Sequence, residues 1–465
     1  MDQGKKILFE EVPVPQAIMK LAVPTVISQI ILVIYNMADT FFIGMTGSDA
    51  MLTAVTVCMP AFMFLSAISN LFGIGGGAVI SRSLGRKDVN RAENASAFAL
   101  YGCLITTCLY CLSAYLMRDS YIAMLGGVHP DVHAYAAEYL TVTVVFGGMF
   151  TAVNTMFAHL IRAEGRSLHA GIGIAMGGIL NVILDPLFMF VILPEGKEAL
   201  GAALATALSN VISCIYFTAL ILLSRKRHTV LAFRFHQDAF RDGSARELLL
   251  NGLPACLMTL FENISYAVMD HLMAYGGMEA QAGLGVAKKV NMLAHCIVRG
   301  MSQGVMPLIA YSYASDNYRR MKEVIRTSAG MSVLISCVIM GICLIFSPWL
   351  IGLFIRSGSA SAYYGTHFLR VLCLGCPFSA FAYAVISFFQ AIGQNRRSFR
   401  LAVLRKGAMD IPLMCVMHLV SPVIGIVAAT PVTDVICCGA AAVLLVHMQS
   451  DLMNDNEKVK LKESF

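Results

Sequence analysis

The sequence predicts an all-α polytopic membrane protein with twelve transmembrane helices in two six-helix lobes. Of its 465 residues, 57% are hydrophobic and only 13% are charged, whereas a soluble domain carries about 25% charged residues. The apolar residues fall into long stretches, and the two halves of the chain repeat one another. The first 20 residues are amphipathic and mixed in charge, so we expect no cleavable signal peptide.

Apolar stretches of about 20 residues or more cross a bilayer as helices. The sequence contains twelve, near residues 15–45, 50–80, 94–117, 133–160, 168–193, 200–224, 246–275, 280–311, 325–355, 363–391, 398–420 and 423–449. Several are longer than a bilayer requires, which indicates tilt or extension beyond the membrane.

The basic residues of the loops predict the orientation. Nineteen Lys and Arg residues fall in one alternate set of loops and three in the other. Because basic loops stay in the cytoplasm, we expect both termini there, in the inner membrane of a bacterial cell. The net charge of +6 is small, and we expect no nucleic-acid partner. We expect a monomer in the lipid bilayer.

The two halves of the sequence match at an offset near 230. Pro24 corresponds to Pro254, and Gly47-Ser-Asp-Ala50 corresponds to Gly277-Met-Glu-Ala280. With six helices per half, the halves share one orientation and are related by a pseudo-two-fold axis along the membrane normal. The predicted organisation is an N-lobe (1–224), a cytoplasmic linker (225–245), a C-lobe (246–449) and a cytoplasmic tail (450–465).

Four polar residues of the N-lobe lie at similar depth. At 1.5 Å per residue, Asp39 and Thr206 are each about 9 Å, and Asp185 about 12 Å, from the outer ends of their helices. Asn181 precedes Asp185 by one turn and shares its face. Carboxylates at this depth are costly and typically mark an ion or substrate pathway. We therefore predict that these residues converge.

Such a group suits a small cation. Carboxylate, amide and hydroxyl oxygens are hard ligands suited to Na⁺, and two close carboxylates can also share a proton, so the coupling ion is Na⁺ or H⁺. A structural alternative exists for Asn181 and Asp185, because polar groups beside Pro186 can repair the hydrogen bonding that it interrupts. Thr206 alone is uninformative, since Thr in such helices often bonds its own backbone.

Acids also occur within predicted helices of the second half: Glu262 and Asp270 on helix seven, Asp410 on helix eleven and Asp434 on helix twelve. We expect Glu262 to face the cavity and attract a cationic substrate. Asp410 and Asp434 are equally compatible with a functional role and with structural pairing to Arg405 or Lys406.

Aromatic and thioether side chains suit a promiscuous site for flat organic cations. The predicted substrate-binding residues are Tyr35, Met37, Tyr139, Met258, Glu262 and Tyr266. For any single Met, contact with lipid or ordinary packing is the simpler explanation.

Enzymatic chemistry is not indicated. The Gly73–Gly77 run lacks the Lys-Ser/Thr of a phosphate loop, and we expect helix packing there. No nucleophile motif is present, the His residues lack ligand spacing, and we expect no cofactor besides the coupling ion. The Cys residues, Cys108 and Cys337 among them, lack metal-site spacing and are interpreted as small buried hydrophobic residues.

Over nearly its whole length the chain resembles the MATE (multidrug and toxic compound extrusion) transporters, and most closely their DinF/MepA-like branch. The resemblance is carried by Tyr35-Asn-Met-Ala-Asp-Thr40, Arg82-Ser-Leu-Gly85, Arg162-Ala-Glu-Gly165, Asn181 with Asp185-Pro186, and Gly201-Ala-Ala-Leu-Ala-Thr206.

The resemblance implies a two-lobed exporter that exchanges organic cations for Na⁺ or H⁺. It implies that Asp39, Asn181, Asp185 and Thr206 form the N-lobe cation site. The NorM-type branch pairs its helix-seven acid, here Glu262, with an Asp on helix ten. Residues 379–386 contain none, so a NorM-type C-lobe site is not expected.

Two other functions are compatible with many helices and a central cavity. A lipid-linked oligosaccharide flippase of the same superfamily would line its cavity with basic residues, which are few here. A non-transporting membrane scaffold or receptor would not need acids matched in depth.

Overall fold

The computed structural model describes residues 3–124, 129–224, 229–231, 233, 242–356 and 358–463, and every long regular element in them is a helix. Most of the predicted linker, residues 225–228, 232 and 234–241, lies outside the described residues.

The α-helices are α1 Gln3–Glu10, α2 Val14–Met45, α3 Asp49–Gly85, α4 Val89–Leu116, α5 Arg118–Met124, α6 Pro130–Leu140, α7 Gly148–Ala163, α8 Ser167–Leu187, α9 Glu198–Ser224, α10 Ser244–Met273, α11 Met278–Ala314, α12 Tyr318–Gly352, α13 Ala360–Cys373, α14 Cys376–Ile392, α15 Asn395–Val403, α16 Asp410–Val420 and α17 Ile424–Glu463. Three π-helical segments, Thr141–Phe146, Phe188–Ile192 and Leu404–Ala408, continue α6, α8 and α15.

The prediction of an all-α polytopic membrane protein is confirmed. Among the described residues, eight helices are long and apolar enough to cross a membrane, and two bent pairs raise the number to ten. These pairs are Pro130–Phe146 with Gly148–Ala163, bent by 48°, and Ala360–Cys373 with Cys376–Ile392, bent by 44°. The short helices α1 and α5 were not predicted, and the last helix continues beyond residue 449 to Glu463.

The chain forms two compact units. Unit 1 contains Met1–Ile264, Cys296–Ser328 and Gln390–Gly393, and unit 2 contains Ser265–His295, Ala329–Phe389 and Gln394–Phe465. Unit 1 thus includes segments from both halves of the sequence, and the boundaries of the predicted lobes stay a prediction.

Within unit 1, α2 packs along α8, and α8 packs along α9. Two glycines of α8 allow α2 to come close. A Cβ added to Gly171 would lie 2.8 Å from the carbonyl oxygen of Pro24, and one added to Gly178 would lie 2.8 Å from Cγ2 of Ile31. Small residues are a common means of close helix packing in membranes.

Within unit 2, α16 and α17 pack against each other, and α13 packs against α17. Its largest core cluster joins Met269, Leu284, Phe368, Met414 and Ile426, which come from five different helices.

The fourteen Cys are all free thiols. Most are buried or half-buried, but Cys108, Cys337 and Cys415 are exposed, so the prediction of burial is wrong for these three. They lie on outward faces of apolar helices, where hydrophobicity does not distinguish a lipid-facing position from a core position.

Candidate functional site

The four predicted cation-site residues lie on three helices of unit 1 that pack side by side. Asp39 lies on α2, Asn181 and Asp185 on α8, and Thr206 on α9. Because α8 packs against both of the other helices, its polar face is placed between them.

Asn181 joins two of these helices directly. Its Nδ2 donates to Oδ1 of Asp185 at 3.1 Å and to Oγ1 of Thr206 at 3.2 Å. All three residues are buried, with Asp185 0% exposed. Both bonds join side chains. If Asn181 only replaced the helix hydrogen bond that Pro186 interrupts, its amide would instead donate to a backbone carbonyl.

Asp39 completes the group across the α2–α8 contact. It lies within electrostatic reach of Asp185 and of the side chain of Tyr139. The nearby Asn36 and Thr40 bond carbonyls of their own helix, Leu32 and Asn36 respectively. Unlike them, Asp39 has a buried Oδ1 that no hydrogen-bond donor of the described residues reaches.

Three oxygens of this group are buried acceptors without a donor. They are Oδ1 of Asp39, Oδ1 of Asn181 and Oδ2 of Asp185. In the part of the chain that the structure describes, neither carboxylate has a Lys or Arg ion partner. Acceptor oxygens in a buried site require a proton or a cation to offset the cost of desolvation. We call Asp39, Asn181, Asp185 and Thr206 the acid site.

The donor set consists of oxygen atoms and is compatible with Na⁺ or H⁺. No group of three or more His, Cys, Asp or Glu in the described residues could hold a metal ion. Two carboxylates with amide and hydroxyl oxygens are instead typical ligands of hard cations.

Irregular helix geometry flanks the acid site on two sides. Leu187 alone separates Asp185-Pro186 from the π segment Phe188–Ile192, and Leu140 alone separates Tyr139 from the π segment Thr141–Phe146. Proline removes a helix hydrogen bond, and π segments are frequent at functional sites because they reorient side chains.

The predicted substrate-binding residues do not form one group. Tyr35 and Tyr139 interact with the acids of the acid site. Met37 and Met258 are half-buried residues of unit 1, whereas Tyr266 belongs to unit 2.

Glu262 has a basic partner. Nη2 of Arg299 lies 3.0 Å from Oε1 and 2.9 Å from Oε2 of Glu262. The expected attraction of a cationic substrate by Glu262 would therefore have to compete with this ion pair.

The acids of unit 2 are also paired. Lys406 Nζ donates to Oδ2 of Asp410 at 3.1 Å, and Arg405 Nε donates to Oδ1 of Asp434 at 3.0 Å. All four side chains are at most 5% exposed. Asp270 forms an ion pair with Lys288. Of the two alternatives for Asp410 and Asp434, the geometry favours structural pairing.

Sequence reasoning missed a polar network next to the acid site. Asn210 donates to Oγ1 of Thr151 at 3.1 Å and to the carbonyl of Thr206 at 3.0 Å. Asn154 donates to Asn210 and accepts from Ser213. The spacing of four residues between Thr206 and Asn210 is the signal that could have identified it.

An open apolar pocket of about 450 Å³ in unit 1 is lined by Phe146, Phe150, Phe188 and Leu208, among others. None of its lining residues belongs to the acid site. Its apolar lining makes it unsuitable for a charged ligand.

Comparison with known sequences identifies one family. The sequence model of the MatE family matches residues 24–187 and 254–416. The two matches start 230 residues apart, at Pro24 and Pro254, which confirms the predicted internal repeat.

The curated relatives match nearly the whole chain. The multidrug export protein MepA of Staphylococcus saprophyticus is 30% identical over 443 residues, which are 95% of this chain and 96% of its own length. MepA of Staphylococcus aureus strain NCTC 8325 is 29% identical over equal shares.

Solved structures share the fold. A crystal structure of MATE in complex with MaL6 superposes with a TM-score of 0.88 at 23% identity, and covers 98% of this chain and all of that chain. An outward-facing multidrug resistance MATE family transporter of the MOP superfamily gives a TM-score of 0.88 at 22% identity, over 97% of this chain and 99% of that chain. The predicted fold class is confirmed.

Proposed function

Because this chain belongs to the MatE family, we propose that it exports amphipathic organic cations in exchange for Na⁺ or H⁺ by alternating access. Its relatives named for multidrug export support the export of drug-like molecules. The acid site carries the proposal of ion coupling.

The central observation is that three buried acceptor oxygens, on Asp39, Asn181 and Asp185, have no hydrogen-bond donor among the described residues. Two carboxylates without a basic partner repel each other inside a membrane protein, and a bound cation removes this cost. The site therefore favours a cation strongly, and it can release that cation only when the surroundings of the carboxylates change.

Exchange of ion for drug follows from opposed affinities. When the site faces outward, it takes up Na⁺ or H⁺, which changes the packing of α2 against α8 and expels the drug. When the site faces inward, the ion leaves, and the restored negative charge favours a cationic drug. Coupling requires that ion and drug prefer different states.

The substrate contacts are part of the same proposal. Tyr35, Met37, Tyr139 and Met258 supply aromatic and thioether surface for a flat cation, with Tyr35 and Tyr139 next to the acids. Glu262 contributes after displacement of Arg299, and the role of Tyr266, in unit 2, stays a prediction. We place the protein as a monomer in the bacterial inner membrane, with both termini cytoplasmic.

The flippase alternative is less well supported. Its pyrophosphate group would need uncompensated basic side chains in the cavity. Four intramembrane bases, Lys288, Arg299, Arg405 and Lys406, instead form ion pairs with acids of the same unit.

The decisive experiment is ethidium efflux by purified protein in vesicles under a Na⁺ gradient or an H⁺ gradient, imposed separately. We expect one gradient to drive efflux and Asp39→Asn to abolish it, because the amide has neither the negative charge that attracts Na⁺ nor a carboxylate that can take up a proton. Asp119→Asn, the same change at a carboxylate that is 68% exposed, is the matched control and should transport normally.

Gradient-driven efflux by Asp39→Asn at the wild-type rate would contradict the coupling role of the acid site. Absence of ethidium efflux by the wild type under both gradients would contradict cation-coupled export itself.

A further inference from the structure

Two turns of unit 1 have the same backbone, the turn between α3 and α4 and the turn between α11 and α12. They contain Lys87 and Asp316, the two non-glycine residues with positive φ in the described chain, at 61° and 57°. The next residue, Asp88 or Asn317, accepts a hydrogen bond from the backbone N–H three positions later. The backbone hydrogen bonds around the two turns also agree.

These turns define the register of the repeat at this end of the helices. Their offset is 229, one less than the 230 between the starts of the two MatE matches, so the second half is one residue shorter up to its turn. At an offset of 229, Arg82 corresponds to Tyr311, and Arg91 corresponds to Arg320.

The ends of α3 and α11 meet at equivalent residues. Gly85 corresponds to Ala314 at the same offset, and a Cβ added to Gly85 would lie 2.9 Å from Cβ of Ala314. A residue touches its own equivalent only beside a two-fold axis. The predicted pseudo-two-fold axis therefore passes between these two helix ends, within unit 1.

The first turn holds a carboxylate of the other half. Nη2 of Arg82 lies 2.9 Å from Oε1 of Glu247, and Nη2 of Arg91 lies 2.6 Å from Oε2. Glu247 is in the first turn of α10, the first long helix of the second half. Arg82 is 3% exposed and also donates to the carbonyls of Gln390 and Ala391 at the end of α14. We call Arg82, Arg91 and Glu247 the arginine clamp.

The equivalent residues of the second turn hold the chain ahead of α2, the first long helix of the first half. Tyr311 is 3% exposed, donates to Oε1 of Glu10 at 2.7 Å, and stacks on Phe9. Arg320 donates to the carbonyl of Val12 at 2.7 Å and lies within electrostatic reach of Glu10. We call Tyr311, Arg320 and Glu10 the tyrosine clamp.

The two clamps have one construction. In each, the turn of one half holds the chain at the start of the first long helix of the opposite half. An isolated ion pair would account for one such contact but not for its repetition about the axis. Both turns belong to the basic loops that are predicted to be cytoplasmic. When the proposed transporter opens to the cytoplasm, the halves separate on this side and both clamps must release.

We propose that the arginine clamp and the tyrosine clamp together form a latch that keeps the cytoplasmic side closed, and that the arginine clamp sets the rate of opening. This inference rests on the proposed function, because alternating access supplies the motion that the latch controls. Two guanidinium groups hold Glu247, whereas a hydroxyl holds Glu10. Lys6, 3.8 Å from Glu10, belongs to the same short helix and does not join the halves.

The test measures access to two buried positions behind the clamps. Asn251 is 0% exposed, and Leu21, its equivalent at an offset of 230, is 1% exposed. Each lies beside a close helix crossing, that of Gly252 with α3 or that of Gly304 with α2. Asn251→Cys or Leu21→Cys is introduced into the full-length protein, and inside-out membrane vesicles are treated with a membrane-impermeant maleimide. Mass spectrometry separates the new thiol from the native ones, and native Cys58, which is 0% exposed, reports unfolding.

The expected result is faster labelling when a clamp is weakened. Glu247→Gln should raise the labelling rate of both introduced thiols several-fold, because the halves separate as a whole, and Glu10→Gln should raise it less. Glu11→Gln, the same change at a neighbouring exposed carboxylate, is the matched control and should leave the rate unchanged. Tyr311→Arg, which gives the second clamp the arginine of the first, should lower the rate.

Three outcomes would overturn the proposal. The first is a labelling rate that Glu247→Gln does not change, and the second is an equal rise caused by Glu11→Gln. The third is labelling of Cys58 in parallel with the introduced thiol, since Glu247 would then stabilise the fold and not the closed side. If Glu247→Gln is not recovered in folded form, Arg91→Gln leaves Arg82 and Glu247 paired and gives the same test with a smaller expected rise.

Failure of the proposed function gives a different result. Absence of gradient-driven ethidium efflux by the wild type refutes export, whatever the labelling rates are. Normal efflux by the wild type, together with labelling that neither Glu247→Gln nor Glu10→Gln changes, refutes the latch alone.

Discussion

Asp185 in unit 1 and Asp410 in unit 2 are both 0% exposed, but they have opposite surroundings. Asp410 accepts from Lys406 and from Ser265. Among the described residues, Asp185 accepts from the amide of Asn181 alone, and it lies within electrostatic reach of a second acid, Asp39. The two carboxylates are therefore equally buried, but a lysine neutralises the charge of Asp410, and no described residue neutralises that of Asp185.

The difference between the two acids indicates two roles: stabilising the fold, and coupling ion binding to transport. A buried acid with a fixed basic partner stabilises one arrangement of helices and binds nothing exchangeable. A buried acid without one is costly until a mobile cation arrives, and this cost allows ion binding to be linked to a change of state. Three predictions follow for protein stability, in order of decreasing effect.

Breaking a compensated pair should have the largest effect. Arg405→Met leaves the Asp434 carboxylate buried without a partner and removes the donor to Ser379. We expect a loss of about 3–5 kcal/mol in the free energy of unfolding, measured by denaturant unfolding in detergent.

The double variant Arg405→Met, Asp434→Leu should recover most of this loss, because no unpaired charge remains. Arg356→Met, at an exposed position, is the matched control and should cost little. A double variant as unstable as the single one would show that Arg405 acts through packing on Tyr383, whose ring centroid is 4.1 Å away.

Separating α2 from α8 should have an intermediate effect. A side chain at Gly171 must displace the backbone at Pro24, so Gly171→Val should cost about 1–3 kcal/mol by overpacking. It should also weaken gradient-driven efflux, because it moves Asp39 away from Asp185. Gly330→Val, where an added Cβ meets nothing within 4 Å, is the matched control for the loss of a helical glycine. Equal effects of both changes on efflux would show that the close approach is not needed.

Neutralising an uncompensated acid should have the smallest effect on stability. Asp185→Asn removes a buried charge that has no basic partner, so the melting temperature should stay the same or rise. Ion-driven efflux should nevertheless be lost. A fall in stability similar to that of Arg405→Met would contradict the comparison, since it would reveal a cationic partner for Asp185.

Much of the fold was predictable because the length of each apolar stretch follows from the local sequence alone. The twelve apolar stretches all appear as helices, although π segments and bends interrupt those around Tyr139, Asp185 and Arg405. These interruptions depend on packing against neighbouring helices, and apolar composition contains little information about them. Burial was predicted wrongly for the exposed Cys108, Cys337 and Cys415 for a related reason, since lipid-facing and core positions have similar composition.

The candidate site was predictable in its members but only partly in its contacts. Depth along each helix follows from counting residues, so Asp39, Asn181, Asp185 and Thr206 could be grouped. Which helix faces meet depends on contacts between distant residues, such as the bond from Asn181 to Thr206. Counting residues along a helix could not reveal the partner of Glu262, because Arg299 lies 37 residues away on another helix.

The sequence by itself determined the membrane class, the internal repeat and the cost of each buried acid, since all three follow from residue type and spacing along the chain. Only the tertiary structure decided which acids are compensated. Asp410 and Asp434 have basic partners, whereas none of the described residues is a basic partner of Asp39 or Asp185. The physical reason is that an ion pair needs two side chains within about 4 Å, and helix packing alone brings distant residues to that distance.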